Sequence, residues 1–182
     1  MSLEAAYGLL AHGLLFGALT TLLSLGRFRA RVALAATALS LMIGIAPIML
    51  AIFGPPSMTL LCLAVLQLAE RQPSPLGRLP ALAVIGTAAG LYISASASVG
   101  GDIHALGYQP WPLLAALLPI GAALWWKRQI PWLLILGVDL LAYAGGLFAN
   151  LWDTLLDPLL LLLALTVVGR QWIFRFIASR RR

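Results

Sequence analysis

Apolar runs separated by short polar breaks set the pattern of this chain. They cover residues 3–25, 32–53, 58–69, 79–98, 111–126, 130–152 and 158–169, and each break carries glycine, proline or charge. An apolar helix of about 20 residues matches the hydrocarbon thickness of a bilayer. The third run is shorter, about 18 Å at 1.5 Å per residue, and so is the seventh. Gly54-Pro55-Pro56-Ser57 closes the second run as a clear breaker. Pro158 suits the first turn of a last helix, with Asp157 as its N-cap.

The sixth run holds a polar pattern with a helical period. Asp139, Tyr143, Gly146, Asn150 and Asp153 follow one another at spacings of 4, 3, 4 and 3. On one continuous helix these five share a face, which drifts by about 20° per seven residues. Polar groups are expensive against lipid, so the stripe is expected to face protein or water.

Composition turns the pattern into a class. Hydrophobic residues make up 62% of the chain and charged ones 10%, where a soluble domain carries about 25% charge. Mean hydropathy is +0.97. The expectation is an all-α integral membrane protein, a single transmembrane helical domain over residues 1–182 with about seven transmembrane helices in a compact bundle. The first run lacks a basic leader and reads as a retained helix.

The net charge of +6 then orients the bundle. With seven crossings and the N-terminus outside, all twelve lysines and arginines fall on the cytoplasmic side. If residues 58–69 did not cross, Arg71 and Arg78 would move to the opposite side from Arg27, Arg29 and Arg31. Glu4, Asp102, Asp153 and Asp157 fall outside, Glu70 inside and Asp139 within the membrane. The expected location is a bacterial inner membrane, crossed several times with the C-terminus cytoplasmic. The basic tail 170–182 holds Arg170, Arg175, Arg180, Arg181 and Arg182 among aromatics and is expected against the anionic inner leaflet. That makes lipid, and not nucleic acid, the partner of the basic residues. Gly13–Gly17 and Gly86–Gly90 are small-xxx-small pairs of the kind that let helices approach closely. They leave a membrane protein partner or a homo-oligomer open.

Candidate chemistry is sparse. His12 and Asp139 each lie nine residues inside their runs, about 13–14 Å deep. Together they could form a proton or cation relay, the carboxylate binding the ion and the imidazole tuning it. The alternative is that each is hydrogen-bonded to a neighbouring helix and only fixes packing. With Tyr143, Asn150 and Asp153 they form the expected pathway. A second group, Glu4, Asp102, His104 and Asp157, joins Asp153 as an acidic outer mouth that could steer a cation. The alternative is loop acids sorted by topology. Metal-ligand spacing of a known type is missing, and the loop 100–110 lacks the Gly-Lys-Ser/Thr ending of a phosphate cradle. No metal and no cofactor is expected. Thr87, Tyr92, Ser94, Ser96 and Ser98 give the fourth run a polar outer half that could line the same vestibule. Cys62, the single cysteine, reads as a buried inert thiol.

Three functions fit. The first is a transporter or ion-conducting bundle, or a subunit of one, with Asp139 at the coupling site. The second is a non-catalytic accessory, assembly or immunity-type membrane protein that binds a partner. The third, an intramembrane enzyme acting on lipid, ranks last because no nucleophile–base pair stands out.

Overall fold

In the computed structural model the chain is all-helical, with no strand among the described residues, which are 2–23, 26–69, 76–96 and 103–180. Nine α-helices follow in order: α1 (Leu3–Thr20), α2 (Arg29–Met42), α3 (Ile45–Phe53), α4 (Met58–Ala69), α5 (Arg78–Ser96), α6 (Pro110–Trp126), α7 (Ile130–Ala144), α8 (Leu151–Leu155) and α9 (Pro158–Arg180). Short 3-10 turns lie at Gly26–Phe28 and Ile103–Gly107. Asp102, Arg181 and Arg182 fall outside the described residues, and Arg175 and Arg180 lie where only the backbone is described.

Glycines on α1 decide how the first three helices meet. A Cβ at Gly17 would sit 2.7 Å from the Ala33 carbonyl, one at Gly13 3.2 Å from Leu41, and one at Gly8 2.5 Å from Leu50. As the α1 number falls, the partner number rises, so α2 runs back along α1 and α3 meets its N-terminal half. Close backbone approach of this kind is what small-xxx-small pairs permit. Gly86 and Gly90 on α5 behave differently, since a Cβ on either would meet nothing within 4 Å.

The second apolar run is two helices and not the single one expected over 32–53. α2 ends at Ile43, Gly44 turns left-handed at φ 89°, and α3 leaves at a bend of 73°. Pro47 supplies the reason. It has no N–H to give the Ile43 carbonyl and therefore sits in the first turn of a new helix, where that donor is not needed.

α4 is the hub despite its length. It packs against α1, α7, α8 and α9, and Thr59, Leu60, Leu63 and Ala64 are buried on it. Leu60 and Leu63 join Leu76, Ala81, Ile135, Leu160 and Ala164 in the core. Fully burying one leucine of this kind contributes about 1.5–3 kcal/mol. α5 lies mainly against α9, and α6 against α7 and the 3-10 turn before it.

The sixth run is also broken, which overturns the continuous helix expected over 130–152. α7 stops at Ala144, and Gly146 adopts φ 71°. The Leu147 N–H bonds the Ala142 carbonyl at 3.1 Å and the Gly146 N–H bonds that of Tyr143 at 2.9 Å, the paired closure of a Schellman end. α8 then starts afresh with Asn150 as its N-cap, the side-chain oxygen taking the Trp152 N–H at 2.8 Å. α6 ends the same way, with Arg128 in the left-handed position at φ 54°.

α9 is longer than expected. Gly169 does not end it, and the backbone stays helical to Arg180. Among the described residues one helix, α1, is long and apolar enough to cross a bilayer, or two if the bent α2–α3 pair counts as one span.

Candidate functional site

Asp139 sits on the inner face of α7 at 1% exposure, against the N-terminal turn of α4. Its Oδ2 accepts a hydrogen bond of 2.7 Å from the Thr59 hydroxyl. Its Oδ1 is buried and has no hydrogen-bond partner among the described residues. One donor and one bare oxygen leave a carboxylate uncompensated in an apolar interior, so a proton or an approaching cation must cancel the charge.

Around Thr59 the breaker 54–57 is tied down from both ends of the chain. His12 is 3% exposed, and its Nε2 is 2.9 Å from the Gly54 carbonyl. The Tyr7 hydroxyl donates to the Pro56 carbonyl at 2.8 Å. Asp157 reaches back from the start of α9 and accepts the Ser57 N–H at 2.5 Å on Oδ2 while capping α9 through the Leu160 N–H at 2.7 Å on Oδ1. Ser57 in turn caps α4, its hydroxyl taking the Leu60 N–H at 3.2 Å. Tyr7 also stacks edge-on against Phe148, centroids 5.4 Å apart, and lies within electrostatic reach of Asp157, Cys62 and Asp139. The linker that leads into Thr59 is therefore tied to α1 and α9, and Thr59 in turn bonds the Asp139 carboxyl on α7.

The expected pathway is only partly assembled. Because the helix breaks at Gly145, the five polar residues of the sixth run do not share one face. Tyr143 is half-buried one turn from Asp139, and its hydroxyl bonds nothing among the described residues. Asn150 and Asp153 belong to a second cluster. Asn150 is wholly buried; its amide donates to the His104 carbonyl at 3.2 Å, and Gly107 packs so closely on it that a Cβ there would lie 1.8 Å from Oδ1. The Trp152 indole donates to the Ile103 carbonyl at 2.9 Å. His104 Nε2 lies 3.5 Å from Asp153 Oδ1, both side chains about half exposed. His12 faces Gly54 and has no bond to Asp139.

The acidic mouth likewise divides. His104 and Asp153 pair, Asp157 is committed to Ser57 and α9, Glu4 is exposed in the first turn of α1, and Asp102 lies outside the described residues. Among the described residues no three His, Cys, Asp or Glu side chains converge on a metal-sized site. Of the hydroxyls expected to line a vestibule on the fourth run, Thr87 bonds the Ala83 carbonyl of its own helix at 2.9 Å and Ser94 that of Leu91 at 2.8 Å, while Tyr92 is exposed; the Ser96 side chain and Ser98 lie outside the described residues.

Sequence reasoning missed Thr59, Tyr7 and Ser57. Ser57 alone had a signal, a serine placed to cap the helix after a Gly-Pro-Pro breaker. No family model matches the chain, and neither does any curated protein or solved structure, so the site rests on its own geometry.

Proposed function

We propose that the chain is a small multi-pass protein of a bacterial inner membrane that works as a transporter or ion-conducting bundle, alone or as a subunit, with Asp139 as its coupling site. About seven crossings, N-terminus outside and C-terminus cytoplasmic, remain the arrangement that unites all twelve basic residues. The observation that carries the function is the bare Oδ1 of a fully buried Asp139. Intramembrane acids of this kind mark ion pathways and proton relays. The breaks at Gly44 and at Gly145–Gly146 add support, because discontinuous helices are where transporters place their sites. The ion best suited to the site is a proton. Among the described residues Thr59 is the single side chain that hydrogen-bonds the carboxyl, whereas hard cations such as calcium and magnesium gather about six or more oxygens.

Asp139→Asn tests this in proteoliposomes. The amide keeps size and hydrogen bonding but cannot ionise, so proton-coupled flux should stop while the melting temperature in detergent stays unchanged. Normal flux in this variant would sink the proposal. A cytoplasm-only reporter fused after Arg78 should be active and one fused after Asp102 silent. The reverse pattern would overturn the topology.

The accessory-subunit reading keeps one observation of its own. Gly86 and Gly90 leave an open small-residue face on α5, which suits the close approach of a partner helix. Gly86→Leu should then reduce co-purification of that partner and leave Asp139-dependent flux of the isolated chain intact.

A further inference from the structure

A groove of about 450 Å³ runs along α1, walled on its other sides by α3, α4 and α9. It extends from His12 on α1 to Leu22 in the turn just beyond that helix, about 15 Å at 1.5 Å per residue, or half of a hydrocarbon core about 30 Å thick. Its depth is therefore that of one leaflet. The wall is almost wholly apolar, and its three polar side chains are already engaged inside the protein: His12 with the Gly54 carbonyl, Gln67 with the Thr21 hydroxyl at 3.1 Å, and Thr166 with the Leu163 carbonyl at 2.7 Å. Nothing in the slot asks for a polar solute. Its occupant is hydrocarbon.

The charge at one end says which hydrocarbon. Gln67, at that end, accepts a hydrogen bond on its carbonyl from Arg29 Nη2. Arg29 opens α2 between Arg27 and Arg31, which are exposed and line a shallow hollow together with Phe28. The Arg27 guanidinium lies 5.0 Å over the Phe28 ring. An apolar slot about one leaflet deep, with Arg29 bonded to Gln67 at its end and Arg27 and Arg31 two residues to either side of Arg29 in the chain, complements an anionic phospholipid, because arginine pairs phosphate oxygens in bidentate fashion and basic pockets between helices at the cytoplasmic face take acidic headgroups.

We propose that this groove holds one acyl chain of an anionic phospholipid of the inner leaflet, with its phosphate at Arg27 and Arg31. The proposal rests on the membrane reading of the chain but not on the role of Asp139.

The test is native mass spectrometry of the full chain released from detergent, with phosphatidylglycerol or phosphatidylcholine of identical acyl chains. One phosphatidylglycerol should be retained at least tenfold better than phosphatidylcholine. The double variant Arg27→Gln/Arg31→Gln should lower that preference by about tenfold. Leu19→Trp, which fills the groove from an exposed wall position, should weaken retention of both lipids, and glycerol phosphate without acyl chains should not compete. Equal retention of the two lipids, a preference unmoved by the arginine double variant, or retention unmoved by Leu19→Trp would overturn the proposal while leaving the membrane reading intact if the chain still fractionates with membranes. A chain recovered in the aqueous phase without detergent would overturn both.

Discussion

Thr59 and Asp139 stand 80 residues apart in the chain, yet the hydroxyl of one donates to the carboxyl of the other at 2.7 Å inside the bundle. The bond joins α4 to α7 between two buried side chains. Removing it from one side strands a buried acceptor, which costs about 1–3 kcal/mol. Thr59→Val, which keeps the shape, should lower the melting temperature in detergent. Replacing both partners, as in Thr59→Val with Asp139→Leu, should recover part of that loss. A double-mutant cycle gives the coupling, expected at about 0.5–3 kcal/mol for residues in contact. Strictly additive effects would mean that the bond contributes nothing to stability.

Asp157 does two jobs with its two oxygens, and substitution separates them. Asp157→Ala loses the cap of α9 and strands the Ser57 N–H, whose residue is wholly buried. A lost cap costs about 0.5–2 kcal/mol and a stranded donor about 1–3. Asp157→Asn keeps one side-chain oxygen, enough to cap α9, but turns its amide NH2 on the Ser57 N–H, so it should melt between Asp157→Ala and the parent chain. Equal damage from the two variants would show that the cap of α9 adds nothing beyond the bond to Ser57.

Two glycine pairs give opposite expectations. At Gly17 a Cβ would meet the Ala33 carbonyl at 2.7 Å and the Thr37 hydroxyl at 2.2 Å, so Gly17→Ala should destabilise the fold by about 1–3 kcal/mol. At Gly86 nothing lies within 4 Å, and alanine is a better helix former by about 0.8–1 kcal/mol. Gly86→Ala should melt at or above the parent temperature. The comparison is a pair of thermal melts under one detergent condition, and a reversed order would contradict the packing of α1 on α2.

Arg128 closes α6 in a conformation that favours glycine, at φ 54°. Left-handed backbone costs a non-glycine residue roughly 1–2 kcal/mol. Arg128→Gly should therefore raise stability by up to about 1 kcal/mol, read from the same melts. A fall would show that the guanidinium contributes more than the strain removes.

The signals that were legible in the sequence are local ones. The Gly54-Pro55-Pro56-Ser57 stop and the Asp157-Pro158 start follow from single-residue backbone chemistry, and both occur. The helix breaks at Gly44 and Gly145–Gly146 were hidden because the residues flanking them are as apolar as those within. Hydropathy reads solvent preference and not direction. At the second break the 4-3-4-3 spacing persists across the stop, so a period that looks like one face belongs to two elements. The Thr59–Asp139 pair was hidden for another reason. A threonine in an apolar helix can simply bond the turn before it, as Thr37, Thr87 and Thr166 do, and nothing local marks Thr59 as the one that reaches across.

The linker 54–57 has a consequence for how the protein is made. Its anchors come from Tyr7 and His12 near the start of the chain and from Asp157, which lies 100 residues beyond Ser57. A ribosome delivers the chain from its N-terminus at about 5–20 residues per second, so the linker waits several seconds with one of its three anchors still unsynthesised. Chains arrested before α9 would have the Gly54 and Pro56 carbonyls held by His12 and Tyr7 but no acceptor for the buried Ser57 N–H, so the last helix to be made is the one that completes the linker's hydrogen bonding.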